Sequence, residues 1–179
     1  RPFLPSPTFL QIALNGDRIH PAAPRTPTGI AEAASAAVRA GAHSVHVHAF
    51  DQAGRETLDA AACADVLRHI RRLWPDTPVP LTTSATIVAD PMERLRVIDG
   101  WTVLPDLVTV NQGEPGIIAL CELLLSRGVA LEAGLLTSDD ARAFVASGLG
   151  ERCRRVLIEP LDLGPEAAVR HAAMMEDIV

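Results

Sequence analysis

Ser44-Val45-His46-Val47-His48 decides how this chain is to be read. Side chains along an extended segment point alternately to opposite sides, so His46 and His48 share one face and Val45 and Val47 the other. Branched apolar residues on one side and two imidazoles on the other describe a strand with one face under helices and the other lining a polar interior. The flanks agree with that layering. Upstream, Thr26-Pro27 opens a helical period over Thr28 to Ala40, with proline at the helix start and Gly41 just past the end. Downstream, Asp51-Gln52-Ala53-Gly54 reads as a loop, and Thr57 is placed to cap a helix from Leu58 to Trp74 that stops at Pro75.

The same couplet recurs along the chain. Short apolar segments occur at Phe9 to Leu14, Ser44 to His48, Val79 to Thr82, Leu107 to Val110, Val129 to Glu132 and Arg155 to Ile158. They are too short for helices and rich in Val, Ile and Leu, as buried parallel strands are. Between and after them come further segments of helical period: Pro91 to Ile98, Pro115 to Ser126, Ser138 to Ser147 and Pro165 to Ile178. Repeated βα units build a parallel sheet, either open and doubly wound or closed as a barrel. Neither GxGxxG nor GxxxxGK[ST] follows the first strand, which disfavours a nucleotide-binding open sheet. Polar residues instead close nearly every strand: Asn15, His46 and His48, Thr82 to Ser84, Asn111, Glu132 and Glu159. In a barrel these ends ring one mouth. The expected fold is therefore α/β, a TIM (β/α)8 barrel, with residues 1–179 forming a single domain that carries about six βα units. Eight strands close such a barrel, so two further units are expected after Val179.

Composition narrows the function. Apolar residues make up 48% of the 179 residues, but aromatics only 3% and Tyr is absent, so the core is built from Ala, Leu, Val and Ile. The net charge of −6 argues against a nucleic-acid partner, which requires a basic face. Cys63, Cys121 and Cys153 are scattered and odd in number, giving neither a zinc ribbon nor a disulfide framework. Cys63 and Cys121 read as small core residues, and the reading is a reducing cytoplasm. No apolar run is long enough to span a membrane. Arg1 to Thr8, with three prolines, reads as an extended lead-in rather than a signal peptide. An acidic, Ala-rich barrel with exposed helices is expected to form a homo-oligomer.

Two imidazoles converging on a barrel interior have the geometry of first-row metal ligands, and at a strand end this is favoured over a pair of hydrogen-bonded core histidines. Asp51 is either a third ligand or an orienting neighbour, or else it closes an Asx turn in its own loop, the reading preferred here. Thr82 and Ser84 offer hydroxyls that hold a carbonyl or carboxylate oxygen or else cap the next turn. Asn111 donates to a substrate oxygen or shapes its turn. Glu132 is an acid at the end of an apolar strand, costly there unless paired, which favours a role in the site; Glu159 is a weaker case. In Asn15-Gly16-Asp17-Arg18, Arg18 is placed to neutralise an anionic substrate, or is a solvated loop charge.

The order of motifs resembles a known family, the β-keto acid cleavage enzymes. The resemblance rests on Leu14-Asn15-Gly16, His20-Pro21-x-x-Pro24-x-Thr26-Pro27, Ala40-Gly41-Ala42 and His46-x-His48-x-x-Asp51. It continues through Thr82-Thr83, Pro105-Asp106 to Asn111, Glu132-Ala133-Gly134 and Arg155 to Pro160. It implies a TIM barrel with bound zinc that condenses a β-keto acid with acetyl-CoA, giving acetoacetate and a new CoA thioester. By the same resemblance His46 and His48 are the zinc histidines, and the third protein ligand is a glutamate in a Glu-Asp pair beyond the end of this chain. Thr82 falls at the family's hydroxyl position after the third strand and Glu132 at its acidic position after the fifth. Thr82, Glu132 and Asn111 are thus expected in catalysis, and Asn15, Arg18 and Ser84 in substrate binding. One segment departs: Ala49-Phe50 precede Asp51, where the family often has Arg, and Phe50 cannot bind a carboxylate. A metal-dependent hydrolase also uses His-x-His on a barrel strand, but it leans on later histidines where this chain has Asn111, Glu132 and Glu159. A catalytically degenerate barrel serving as a binding protein is the non-enzymatic alternative.

Overall fold

A computed structural model of the chain describes residues 8–161 and 164–179; most of the proline-rich lead-in lies outside them. In chain order the elements are β1 (Gln11–Ala13), α1 (Pro27–Arg39), β2 (Ser44–His46), β3 (Ala49–Phe50), β4 (Glu56–Thr57), α2 (Ala60–Leu73), β5 (Pro80–Thr82) and α3 (Pro91–Asp99). They continue with β6 (Leu107–Asn111), α4 (Ile117–Ser126), β7 (Ala130–Leu135), α5 (Ser138–Ser147), a single 3-10 turn (Gly150–Arg152), β8 (Arg155–Ile158) and α6 (Pro165–Ile178).

Helices begin where the sequence supplies a cap. The Thr26 hydroxyl accepts from the Gly29 amide, with Pro27 at the first helical position of α1. Thr137 and Asp140 close a reciprocal capping box at the start of α5. One expected cap is displaced: α2 starts at Ala60, and its cap is Asp59, whose carboxylate accepts from the Ala61 and Ala62 amides. Thr57 lies in β4 instead, where its hydroxyl accepts from the Asp59 amide. A carboxylate can serve two amides at a helix start, and the strand pairing of Thr57 holds that residue out of the helix. α4 begins two residues later than its proline suggests. Gly116 precedes it at φ 73°, and a Cβ there would come within 2.6 Å of Pro91.

Six strands are parallel and adjacent in chain order. β1 pairs with β2, Gln11 opposite Ser44 and Ala13 opposite His46. β2 continues onto β5 through the Val47–Leu81 bridge, with the Val47 amide donating to the Pro80 carbonyl at 3.0 Å. β5, β6, β7 and β8 follow as one parallel ladder. β3 and β4 form a small antiparallel hairpin after β2, where the sequence predicts a loop leading to a helix cap at Thr57. The sheet curls, because Arg155 on its last strand hydrogen-bonds to Gln11 on its first. Curling of sequential parallel strands under helices is the TIM-barrel arrangement, here with six βα units.

Parity along each strand sorts the side chains. Val45, Val47, Leu81, Val108, Val110, Leu131 and Ala133 are all buried on the outer face. They meet Ile30 and Ala34 of α1, Leu67 and Ile70 of α2, Ile98 of α3, Leu120 and Leu124 of α4 and Phe144 of α5. Cys63 and Cys121 fill this layer as small apolar groups, and burial pushes each thiol up to about 12. Trp101 is the largest fully buried side chain, and its indole nitrogen donates to the Leu58 carbonyl at 2.8 Å. Trp101→Ala removes that bond and opens a large cavity. A loss of about 3–5 kcal/mol is expected, read as a shifted denaturation midpoint.

Candidate active site

The inner face of the barrel carries the polar residues that the outer face lacks. Its deepest part is one connected network. Glu132, 1% exposed, sits third in the six-residue β7, so it is a mid-strand residue and not the strand end expected from sequence. Its carboxylate accepts from the Thr109 hydroxyl at 2.7 Å and is paired with the Arg155 guanidinium. The second arm of Arg155 donates to the Gln11 carbonyl, which also accepts from Ser44 at 3.0 Å. The Gln11 amide in turn donates to Glu132 at 3.4 Å. Five strands thus meet around one carboxylate.

His46 hangs from this network. Its Nδ1 lies 3.3 Å from the Thr109 hydroxyl. Thr109 already donates to Glu132, so toward His46 it accepts, and Nδ1 carries the proton. Burial, reinforced by the neighbouring His48 and Arg155, pushes the His46 imidazole down to about 3, so it is neutral at physiological pH. His48 is held from another direction. Its Nδ1 bonds the Glu56 carboxylate from the β3–β4 hairpin. A carboxylate only accepts, so Nδ1 is again the protonated nitrogen. The two rings stand edge to face with centroids 5.2 Å apart, and these partners engage each ring through Nδ1 and not Nε2. Such a donor set suits a divalent first-row metal, whose histidine ligands are commonly fixed through the other ring nitrogen. Among the described residues no group of three or more His, Cys, Asp or Glu side chains is placed to hold a metal, so His46 and His48 by themselves would supply two ligands.

Other predicted residues lie around this core in distinct roles. Asn15 braces His48: its carbonyl oxygen accepts from the His48 amide at 2.8 Å, and its nitrogen donates to the His48 and Pro24 carbonyls. Thr82 is buried on the same strand face as Thr109, and its hydroxyl accepts from the Ser84 amide, which is the capping alternative. Ser84 lies 2.9 Å from the Thr86 hydroxyl and 3.4 Å from Glu114. Asn111 follows Thr109 by two residues on β6, and so shares its inward face; it donates to Glu114 at 3.0 Å. Arg18 is exposed in the β1–α1 loop. Asp51 closes its own turn, accepting from the Ala53 and Arg55 amides and pairing with the Arg55 side chain. These bonds hold its carboxyl below the usual range. Glu159 is exposed.

Gln11, Glu56, Thr109, Glu114 and Arg155 were not singled out from sequence. Period-two polarity was the available signal for three of them, since Gln11, Thr109 and Arg155 interrupt apolar strands on the inward parity. Glu56, in the two-residue β4, and Glu114, in the turn after β6, carry no local signal.

A cleft of about 650 Å³ lies apart from this network. It opens between the N-terminal ends of α1 and α2 beside the β3–β4 hairpin, and its lining includes Arg25, Phe50, Asp51, Asp59 and Arg68. Phe50 is buried there with the Arg25 guanidinium 4.5 Å above its ring. Arg25 also donates to the Gly54 and Arg18 carbonyls.

A family model described as "beta-keto acid cleavage enzyme" matches residues 7–157. No match is found among curated proteins. Among solved structures, apo ObcA aligns at a TM-score of 0.58 with 19% identity, over 76% of this chain and 35% of that one. A binary complex of ObcA with oxaloacetate aligns at 0.56 with 16% identity, over 66% and 32%. A mandelate racemase/muconate lactonizing enzyme from Roseiflexus sp. aligns at 0.56 with 16% identity, over 96% and 45%. The chain therefore spans about a third of the ObcA length, and these likenesses establish the barrel fold.

Two measurements follow from the network. Removing the Glu132 carboxylate leaves the Arg155 charge without its partner, so Glu132→Ala is expected to cost about 3 kcal/mol, read by urea denaturation. The second concerns metal-free protein, in which His46 titrates near 3 folded against its ordinary 6.5 unfolded. Between those values the unfolded chain binds more protons. Stability is then lost as pH falls from 6.5 toward 3, by at most about 1.4 kcal/mol per pH unit from this residue. A His46→Gln variant should show a shallower fall between pH 6.5 and 4.5.

Proposed function

The chain belongs to the beta-keto acid cleavage enzyme family, and from that premise we propose that it is a zinc-dependent enzyme that cleaves a β-keto acid with acetyl-CoA as co-substrate. In that reaction the bond between the α and β carbons of the keto acid breaks. The acyl part leaves as a new CoA thioester, and the carboxymethyl part joins the acetyl group as acetoacetate. The observation that carries the reading is the pair of Nδ1-anchored imidazoles on the inner face of β2 and the loop just after it.

His46 and His48 would hold the zinc. When bound, it would supply Lewis acidity to the β-keto oxygen and offset the negative charge that develops as the carbon–carbon bond breaks. The remaining tasks fall to the chain itself. Glu56 and Thr109 fix the two ring orientations through Nδ1, which would direct Nε2 of each toward the metal. Glu132, through Thr109, keeps the proton on His46 Nδ1. Asn111 and Ser84 supply amide and hydroxyl groups at the mouth to orient the keto acid. Arg155 is committed to Glu132 and Gln11 and serves as the internal counter-charge.

Purified protein incubated with acetyl-CoA and a panel of short β-keto acids is expected to form acetoacetate and a new acyl-CoA, detected by mass spectrometry. Keto acid consumed with no new thioester would instead mark a hydrolase, and no turnover across a broad panel would favour the binding-protein reading. Metal analysis gives a separate check. Stoichiometric zinc is expected in the wild type and none in the His46→Ala, His48→Ala double variant. Glu56→Gln should weaken zinc binding by about 10–100-fold while leaving thermal stability near wild type. Zinc retained in the double variant would place the metal elsewhere.

A further inference from the structure

One carboxylate at the mouth remains unassigned by the reading above. Glu114 lies in the turn after β6, with its side chain 14% exposed. Oε1 accepts from the Asn111 side-chain amide at 3.0 Å, the Ala85 backbone amide at 2.9 Å and the Ser84 hydroxyl at 3.4 Å. Oε2 accepts from Arg94 at 2.8 Å. Arg94 comes from α3, is 1% exposed, and sends its other arm to the Pro115 carbonyl at 2.6 Å. The loop after β5, the end of β6 and helix α3 are thus tied together through Glu114.

A buried guanidinium is costly to leave unpaired, so Arg94 holds Glu114 in place. Glu114 in turn dictates how Asn111 is turned. A carboxylate only accepts, so the amide nitrogen of Asn111 faces it and the carbonyl oxygen faces away. That oxygen lies over Gly134 on the inward face of β7; a Cβ at Gly134 would come within 2.4 Å of it. Gly134 leaves the room and Glu114 sets the direction.

We propose that Glu114, anchored by buried Arg94, is a positioning residue that fixes the orientation of Asn111 and Ser84 at the barrel mouth. The inference rests on the reading of that mouth as the substrate site for its consequence in turnover, while its geometric part stands independently. Glu114→Gln keeps the shape but offers a donor where Asn111 and Ala85 need an acceptor. Asn111 then turns its carbonyl toward residue 114.

Asparagine-selective side-chain NMR reads this directly. Residues 1–179 contain only two asparagines, Asn15 and Asn111, and the Asn111 signals are identified by their loss in Asn111→Ala. The Asn111 amide pair is expected to move markedly in Glu114→Gln while the Asn15 pair stays. An unmoved Asn111 pair overturns the proposal whether or not the protein cleaves β-keto acids. Kinetics supply the second arm. Glu114→Gln should lower kcat/KM by about tenfold in the wild-type background, the low end for loss of an orienting partner. In the Asn111→Ala background it should change it by less than about twofold, because the two residues act as one unit. Equal losses in both backgrounds, accompanied by a lowered Tm, would make Glu114 merely structural. A wild type without cleavage activity but with the NMR shift intact would retire the functional reading and leave the positioning role.

Discussion

A carboxylate inside a barrel has no water to satisfy it, and the arrangement around Glu132 follows from that constraint. At 1% exposure its charge would cost several kcal/mol if left alone. Thr109 from β6, Arg155 from β8 and Gln11 from β1 together meet its lone pairs. Those partners come from opposite ends of the sheet, so satisfying the acid requires the sheet to curl. The interaction that neutralises Glu132 is also one that closes the curvature, and it orders the Thr109 hydroxyl that holds His46.

The two imidazoles are fixed by unrelated means. His46 depends on the barrel interior, where burial and nearby positive charge keep its ring neutral. His48 depends on a two-strand hairpin inserted after β2, which supplies Glu56 to its ring. Asn15, two residues past the end of β1, adds a third brace by holding the His48 backbone with its side chain. Rigid strand, hairpin and amide brace therefore converge on one pair of nitrogens. That convergence is the kind of outer support by which histidine ligands are commonly oriented.

The mouth is built differently from the floor. Below, charge is balanced strand to strand. Above, a buried ion pair between Glu114 and Arg94 reaches in from the helix layer and organises two loop ends. Phe50, which leaves the His-x-His segment without a cation of its own, is buried beside the large outer cleft under Arg25. Positive charge is thus present near that segment, supplied from the β1–α1 loop rather than from the strand itself.

How much of this could be read beforehand depends on the range of the interaction. Period two along Ser44 to His48, repeated as short apolar segments between helical ones, was enough to place six parallel strands and to put both histidines on the inner face, because parity is a local property of extended backbone. Helix starts at Pro27 and Pro91 were legible because caps and prolines also act locally, whereas the α2 cap moved from Thr57 to Asp59 because pairing with Ala49 claimed Thr57 for a strand. Glu132 was recognisable as an acid needing a partner, but not the identity of that partner, since Arg155 and Gln11 are separated by 144 positions and meet only when the sheet curls. Glu56 and Glu114 look like ordinary loop acids until folding brings one under His48 and the other between Arg94 and Asn111. Local sequence therefore determined which residues face inward. Only the tertiary structure decided which of them touch, because hydrogen bonds and ion pairs act over a few ångströms of space and are blind to distance along the chain.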